Sequence, residues 1–148
     1  MFILAPSLLA LSLSAQAELL IGLGHIEKMT GPSIEWAGEH NSFYVMPAYK
    51  LNGGGINTDE LRWVAGARHR LERGLTSESG FYTGFIIGDF GKHRYERLGA
   101  GLQLGHQWVK QYTRIAVDGG MVALERDPVL NFRTEPLFVL GITISLRK

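Results

Sequence analysis

The chain has 148 residues, with 15 Lys and Arg against 14 Asp and Glu, a net charge of +1 and no cysteine. That length suits one domain; near-neutral charge argues against nucleic-acid binding, which needs a concentrated basic surface; and the lack of thiols excludes a disulfide framework, a Cys-based zinc site and thiol catalysis. Apolar residues make up 45% of the chain and 19 are Gly, so it can bury a core, but the glycine excess asks for an architectural reason.

Residues 1–17 read MFILAPSLLALSLSAQA, an uncharged run that ends in Ala15-Gln16-Ala17. Small residues at those two Ala positions suit signal peptidase, so the segment reads as a secretory signal cleaved before Glu18. The folded domain is then expected over 18–148. The run is short for a helical span of about 20 apolar residues, and no later stretch approaches one.

Beyond residue 17 the chain alternates, and side chains at i, i+2 and i+4 share one face of a strand. In 18–26, Leu19, Ile21 and Leu23 alternate with Leu20, Gly22 and Gly24. Residues 33–40 and 43–51 are the next two expected strands; Pro47 removes a ladder donor from the latter and predicts a bulge. In 61–72, Leu61, Trp63, Ala65, Ala67, His69 and Leu71 oppose Arg62, Val64, Gly66, Arg68, Arg70 and Glu72. Residues 80–90 are apolar on both faces. In 97–108, Leu98, Ala100, Leu102, Leu104, His106 and Trp108 oppose Arg97, Gly99, Gly101, Gln103, Gly105 and Gln107. In 113–122, Ile115, Val117, Gly119 and Met121 oppose Arg114, Ala116, Asp118, Gly120 and Val122. The last segment sets Phe138, Leu140, Ile142, Ile144 and Leu146 against Leu137, Val139, Gly141, Thr143, Ser145 and Arg147. Eight strands result, and the Gly and β-branched content disfavours helix.

The expected connections are 27–32, 39–42, 52–59, 73–79, 91–94, 109–111 and 124–136. The second and sixth are short and the last is the longest. An outer-membrane barrel has short periplasmic turns and longer external loops, which makes the even-numbered connections periplasmic; 73–79 is longer than that scheme expects.

Alternation alone does not say which face meets water. A soluble sandwich turns its apolar face inward, whereas a membrane barrel turns it outward. Three features favour the barrel. Aromatics stand at segment ends, where interfacial girdles would lie: Trp108, Tyr112, Phe43, Tyr44, Phe81 and Tyr82 at one end, Phe90 and Tyr95 at the other. Glycines fall mostly on the polar face, where a narrow interior needs small residues. The charges on that face, Arg62, Arg68, Arg70, Glu72, Arg97, Arg114 and Asp118, would form an internal network in which carboxylates neutralise arginines.

With its signal segment, eight alternating segments and glycine-rich strands such as Leu98-Gly-Ala-Gly-Leu-Gln-Leu-Gly-His-Gln-Trp108, the chain resembles the small eight-stranded outer-membrane β-barrels of Gram-negative bacteria. The likeness covers the whole of 18–148 and rests on pattern. It implies an all-β, antiparallel, up-and-down transmembrane barrel in the cell outer membrane, with outer-membrane lipids and lipopolysaccharide as partners. Such barrels usually end in an aromatic residue, whereas this chain ends Leu146-Arg147-Lys148.

Chemistry-bearing motifs are sparse. His25, His40, His69, His93 and His106 show no metal-ligand spacing. Gly99, Gly101 and Gly105 miss the dinucleotide fingerprint by one residue, and Asn52-Gly53-Gly54-Gly55 lacks the GK[ST] of a phosphate loop. No cofactor is expected. A lipid A acylase or deacylase would need a Ser, a His and an acid together; the candidates are His25 or His93 with Glu27, Asp89 or Glu96, and no Ser stands beside either His. Lys92, His93 and Arg94 are candidates for contact with lipopolysaccharide phosphates. Eight strands leave an interior that side chains fill, which argues against a wide pore. The expected role is non-enzymatic, structural, adhesive or envelope-related through the external loops. The alternatives are a lipid A-modifying barrel enzyme and a soluble periplasmic lipid-binding β-barrel.

Overall fold

A computed structural model describes residues 17–52, 55–71, 79–91, 96–125 and 136–147. The expected signal segment, up to Gln16, lies outside them. The strands are β1 (Glu18–Ile26), β2 (Met29–Ala37), β3 (Asn41–Asn52), β4 (Gly55–Arg70), β5 (Gly80–Asp89), β6 (Leu98–Lys110), β7 (Thr113–Leu124) and β8 (Pro136–Leu146). Each pairs antiparallel with the next in chain order, and β8 pairs with β1, so the sheet closes. This is the eight-stranded up-and-down barrel that the alternation predicts. We call the end that carries both termini the lower mouth. The connections after β1, β3, β5 and β7 lie at the upper mouth.

The largest departures from the expected boundaries lie at the upper mouth; at the lower mouth β2 ends at Ala37, three residues short of the expected 40. β2 begins at Met29, after a turn of only Glu27 and Lys28 in which Glu27 takes a left-handed φ of 56°. Gly31-Pro32 reads locally as a turn, but Met29, Thr30 and Gly31 pair with Ile26, His25 and Gly24, and pairing overrides the local signal. β3 and β4 likewise run on to Asn52 and Gly55, so the expected 52–59 loop is mostly strand. The contrast between short lower turns and long upper loops is therefore only partial.

Pro47 acts differently from expectation. The β3–β4 register slips between Tyr49 and Lys50, not at Pro47, which pairs with Trp63. Its effect falls on the other side. The β2–β3 ladder runs through Met29–Lys50 and Thr30–Tyr49, then resumes at Ile34–Val45. In that register Pro32 and Pro47 face each other, and neither has an N–H to give.

The register also fixes the tilt. One row of partners runs Ile21, Ile34, Val45, Ala65, Ile87, Ala100, Ala123 and Pro136. Ile21 itself pairs with Leu146, ten residues farther along β8 than Pro136. Eight strands with a ten-residue stagger require a tilt of about 40°. Each residue along a strand then climbs the axis by about 2.5 Å, and each step from one strand to the next along a row climbs about 3 Å toward the upper mouth.

Alternation resolves cleanly into inside and outside. Leu19, Ile21, Leu23, Leu98, Leu102, Leu104, Phe138, Leu140 and Leu146 are exposed, whereas Arg62, Arg68, Arg114, Asp118, Gln103 and Ser145 are buried within the barrel. β5, apolar on both faces, turns Tyr82, Ile86 and Gly88 inward and Phe81, Thr83 and Phe85 outward. Glycine makes room for rings in this narrow interior. A Cβ at Gly66 would stand 2.5 Å from Tyr44 Cε1, and one at Gly105 would stand 2.5 Å from Tyr82 Cζ.

Gly66→Val is therefore expected to lower stability by about 1–3 kcal/mol through overpacking. Gly55→Ala, at a position with nothing within 4 Å of the added carbon, is expected to change it by less than about 0.5 kcal/mol. Urea unfolding midpoints of the two variants check the contrast.

Candidate functional site

The lumen is filled in three layers. Nearest the lower mouth is a charged layer centred on Arg68 of β4. Its Nη1 donates to Glu35 Oε2 of β2 at 3.2 Å, and its Nη2 donates to Asp118 Oδ2 of β7 at 3.2 Å. Its guanidinium lies 4.3 Å from the ring centroid of Tyr44 and 5.1 Å from that of Tyr82. Arg114 of β7 places Nη1 3.0 Å from the other Glu35 oxygen and donates from Nη2 to Gln107. Tyr82 donates to Asp118 Oδ2 at 2.7 Å, and Tyr44 donates to Gln103 Oε1 at 3.1 Å. Two arginines thus meet two carboxylates, and β2, β3, β4, β5, β6 and β7 all contribute.

Above this layer sits an apolar one: Ile26, Met29, Met46, Ala48, Val64, Ile86, Val122 and Val139, none more than 4% exposed. Phe90, Leu124 and Leu137 continue it toward the upper mouth.

A second charged group lies beside them on β3, β4 and β5. Arg62 Nη1 is 2.5 Å from Asp89 Oδ2, Arg62 Nη2 is 3.7 Å from Glu60 Oε2, and Lys50 Nζ is 4.0 Å from the same Glu60 oxygen. Again two cations meet two anions. Asp89 Oδ1 also accepts from the backbone N–H of Gly91 at 3.0 Å and of Arg97 at 2.8 Å, while Lys50 Nζ donates to Gly91 O at 2.9 Å. One carboxylate so holds both ends of the β5–β6 connection.

The expected network residues divide accordingly. Arg68, Arg114 and Asp118 come together in the lower layer, and Arg62 joins the upper group. Arg70 lies at the lower rim, where it donates to Glu39 O, and Arg97 lies at the upper rim, where Nε donates to Glu125 O at 2.6 Å. Both belong to the rims and not to an interior network, because their contacts lie where the barrel opens to solvent. Glu72 lies outside the described residues.

Of the expected interfacial aromatics, Trp108, Tyr112 and Phe81 are exposed and Phe43 is half-buried on the outer face. Trp36, not foreseen in that set, joins them. Tyr82 and Phe90 do not belong there. Tyr82 is an inward position of β5 tied to Asp118, and Phe90 packs with Leu124 in the lumen. Tyr44, at the neighbouring position to Phe43, also points inward. Adjacent aromatics in a strand must face opposite ways, and that rule separates both Phe-Tyr pairs. Tyr95 and the cationic candidates Lys92, His93 and Arg94 lie outside the described residues.

Sequence reasoning missed Glu35, the carboxylate shared by two arginines. Its signal was available: Ile34 and Trp36 flank it as outward residues, so Glu35 had to face in. Among the described residues, the groups considered for acyl chemistry do not assemble. Asp89 is occupied at the upper mouth, Glu96 is exposed, and His25 Nδ1 lies 2.7 Å from Thr30 Oγ1 on the outer face. Among the described residues no group of three or more His, Asp or Glu is placed to hold a metal.

Glu35→Gln leaves two buried arginines facing one carboxylate, and the expected loss is about 3–5 kcal/mol. Glu18→Gln breaks only the partly exposed Arg147 pair, 2.9 Å, at the termini; its expected loss is under about 1 kcal/mol. Denaturant unfolding of the two variants side by side checks the difference. The chain matches no protein-family model, and neither curated proteins nor solved structures yield a match.

Proposed function

We propose that this is an outer-membrane β-barrel of a Gram-negative envelope, non-enzymatic and closed to solutes, that serves a structural or adhesive role through its upper-mouth loops. The observation that carries this reading is the inverted solvent preference of the wall. Large apolar side chains cover the outside, while two groups of arginines with their carboxylates lie inside, with an apolar layer between them. A soluble monomer rarely exposes an apolar patch beyond a few hundred Å², whereas hydrocarbon tails favour such a belt.

The size of the belt supports the same reading. On β6 the outward residues from Trp108 to Leu98 are apolar except His106. Ten residues at this tilt climb about 25 Å, the height of the lipid-facing band of membrane barrels. Trp36 and Phe43 are register partners near the lower mouth. At the same end Phe81 meets His106 edge to face with centroids 4.7 Å apart, and His106 meets Trp108 at a tilt with centroids 4.5 Å apart. Rings gathered at one level form a girdle suited to a headgroup region. The Lys92, His93 and Arg94 stretch of the β5–β6 connection would then meet lipopolysaccharide phosphates.

Fractionation tests the reading. The protein is expected to stay in urea-washed outer membranes and to migrate faster on gels before boiling than after. Recovery in the soluble periplasmic fraction overturns it. Planar-bilayer recordings of the purified protein are expected to show no discrete conductance, because three side-chain layers obstruct the lumen.

A further inference from the structure

The apolar belt is not the same height all the way round. On β6 it reaches Leu98. On β1 it stops at Leu23, because the next outward residue is His25, whose ring nitrogen meets Thr30 Oγ1 at 2.7 Å across the hairpin. The turn above carries Glu27 and the exposed Lys28.

Heights follow from the register. Leu19, Trp36, Phe43, Ala67, Phe85 and Leu102 form one row. Leu102 is five strands along it, so it stands about 15 Å above Leu19. His25 is six residues above Leu19 on the same strand, also about 15 Å up. Leu102 is 69% exposed and apolar, with four more residues of apolar outer face above it. His25 is polar and ends the belt. The outward β8 neighbours Leu140 and Phe138, 73% and 75% exposed, stand level with His25 and above it. Yet β8 finds β1 partners only as far as Gly141, after which Glu27 N–H donates to Leu140 O at 2.8 Å. The hairpin is a notch in the apolar wall whose floor, at His25, lies about 10 Å below the belt top on β6.

We infer that phosphate-bearing lipid headgroups of the upper-mouth leaflet descend into this notch, so that the bilayer is thinned beside the β1–β2 hairpin. The inference rests on the membrane reading. A flat bilayer would sink the imidazole, the threonine hydroxyl and two charged turn residues into hydrocarbon, where unsolvated polar groups are costly. Thinning costs less per ångström of mismatch. Tilting the barrel does not remove the conflict. Leu19, Trp36, Phe81 and Trp108 keep the lower edge of the belt nearly level, so a tilt that freed His25 would displace that edge. The polar set suits a headgroup: Lys28 and a donor nitrogen of His25 for the phosphate, with Glu27 for an amine.

The chain has no cysteine, so single labels are clean. The full-length protein is reconstituted in phosphatidylethanolamine–phosphatidylglycerol vesicles with a nitroxide at His25→Cys or at Leu102→Cys. Each variant is first shown to run in the unheated, folded position on gels. Accessibility to oxygen and to a polar nickel chelate gives the depth of each label. The label at 25 is expected to read about 10 Å shallower than the label at 102, at headgroup level. Equal depths overturn the inference. A label at 25 shielded from both reagents overturns it too, and shows a second copy or another protein over the notch. If both labels read as aqueous, the membrane reading itself fails.

Discussion

The requirement that governs this barrel is charge neutrality inside a closed wall. A guanidinium taken from water into a low-dielectric interior is stable only against a carboxylate with good geometry. The lumen meets this twice, with Arg68 and Arg114 against Glu35 and Asp118, and with Arg62 and Lys50 against Asp89 and Glu60. Neither group borrows charge from the other, because the valine, isoleucine and methionine layer separates them. Arg68 gains a further enclosure from Tyr44 and Tyr82, whose ring faces attract a cation.

Neutrality and steric fit depend on each other. Long polar chains from several strands meet at the axis only if other positions give up their side chains. Gly66 and Gly105 do so beneath the two tyrosines. The same alternation then forces the leucines and isoleucines outward, since adjacent strand residues face opposite ways. The interior network, the glycine excess and the greasy exterior are thus one consequence of closing eight strands at this stagger.

Much of this was legible in the residues. The five clearest segments show their inside and outside faces through strict alternation, and Arg62, Arg68, Arg114 and Asp118 follow from it directly. What was not legible involves partners rather than patterns. The Gly31-Pro32 pair reads as a turn until its neighbours on β1 are known. Pro47 reads as a bulge, but its missing donor matters only because Pro32 faces it. Tyr82 and Phe90 read as girdle aromatics because β5 is apolar on both faces, and no alternation distinguishes its sides. Glu35 is legible only through its neighbours, since Ile34 and Trp36 face outward and turn it in. The pairing of one cation with one carboxylate is set by stagger, and the stagger emerges only when the ring closes.

The β1–β8 seam carries one more consequence. It joins the two ends of the folded chain, and its ladder spans only Ile21–Ile26 against Gly141–Leu146, clasped at the margin by Glu18 and Arg147. Every other seam is a hairpin between sequence neighbours and can zip from its own turn. This one must gather segments more than a hundred residues apart and bear the loop-closure entropy alone. Ring formation is therefore the pairing that costs the most chain entropy, and Arg68 has its full set of partners only when the ring is closed.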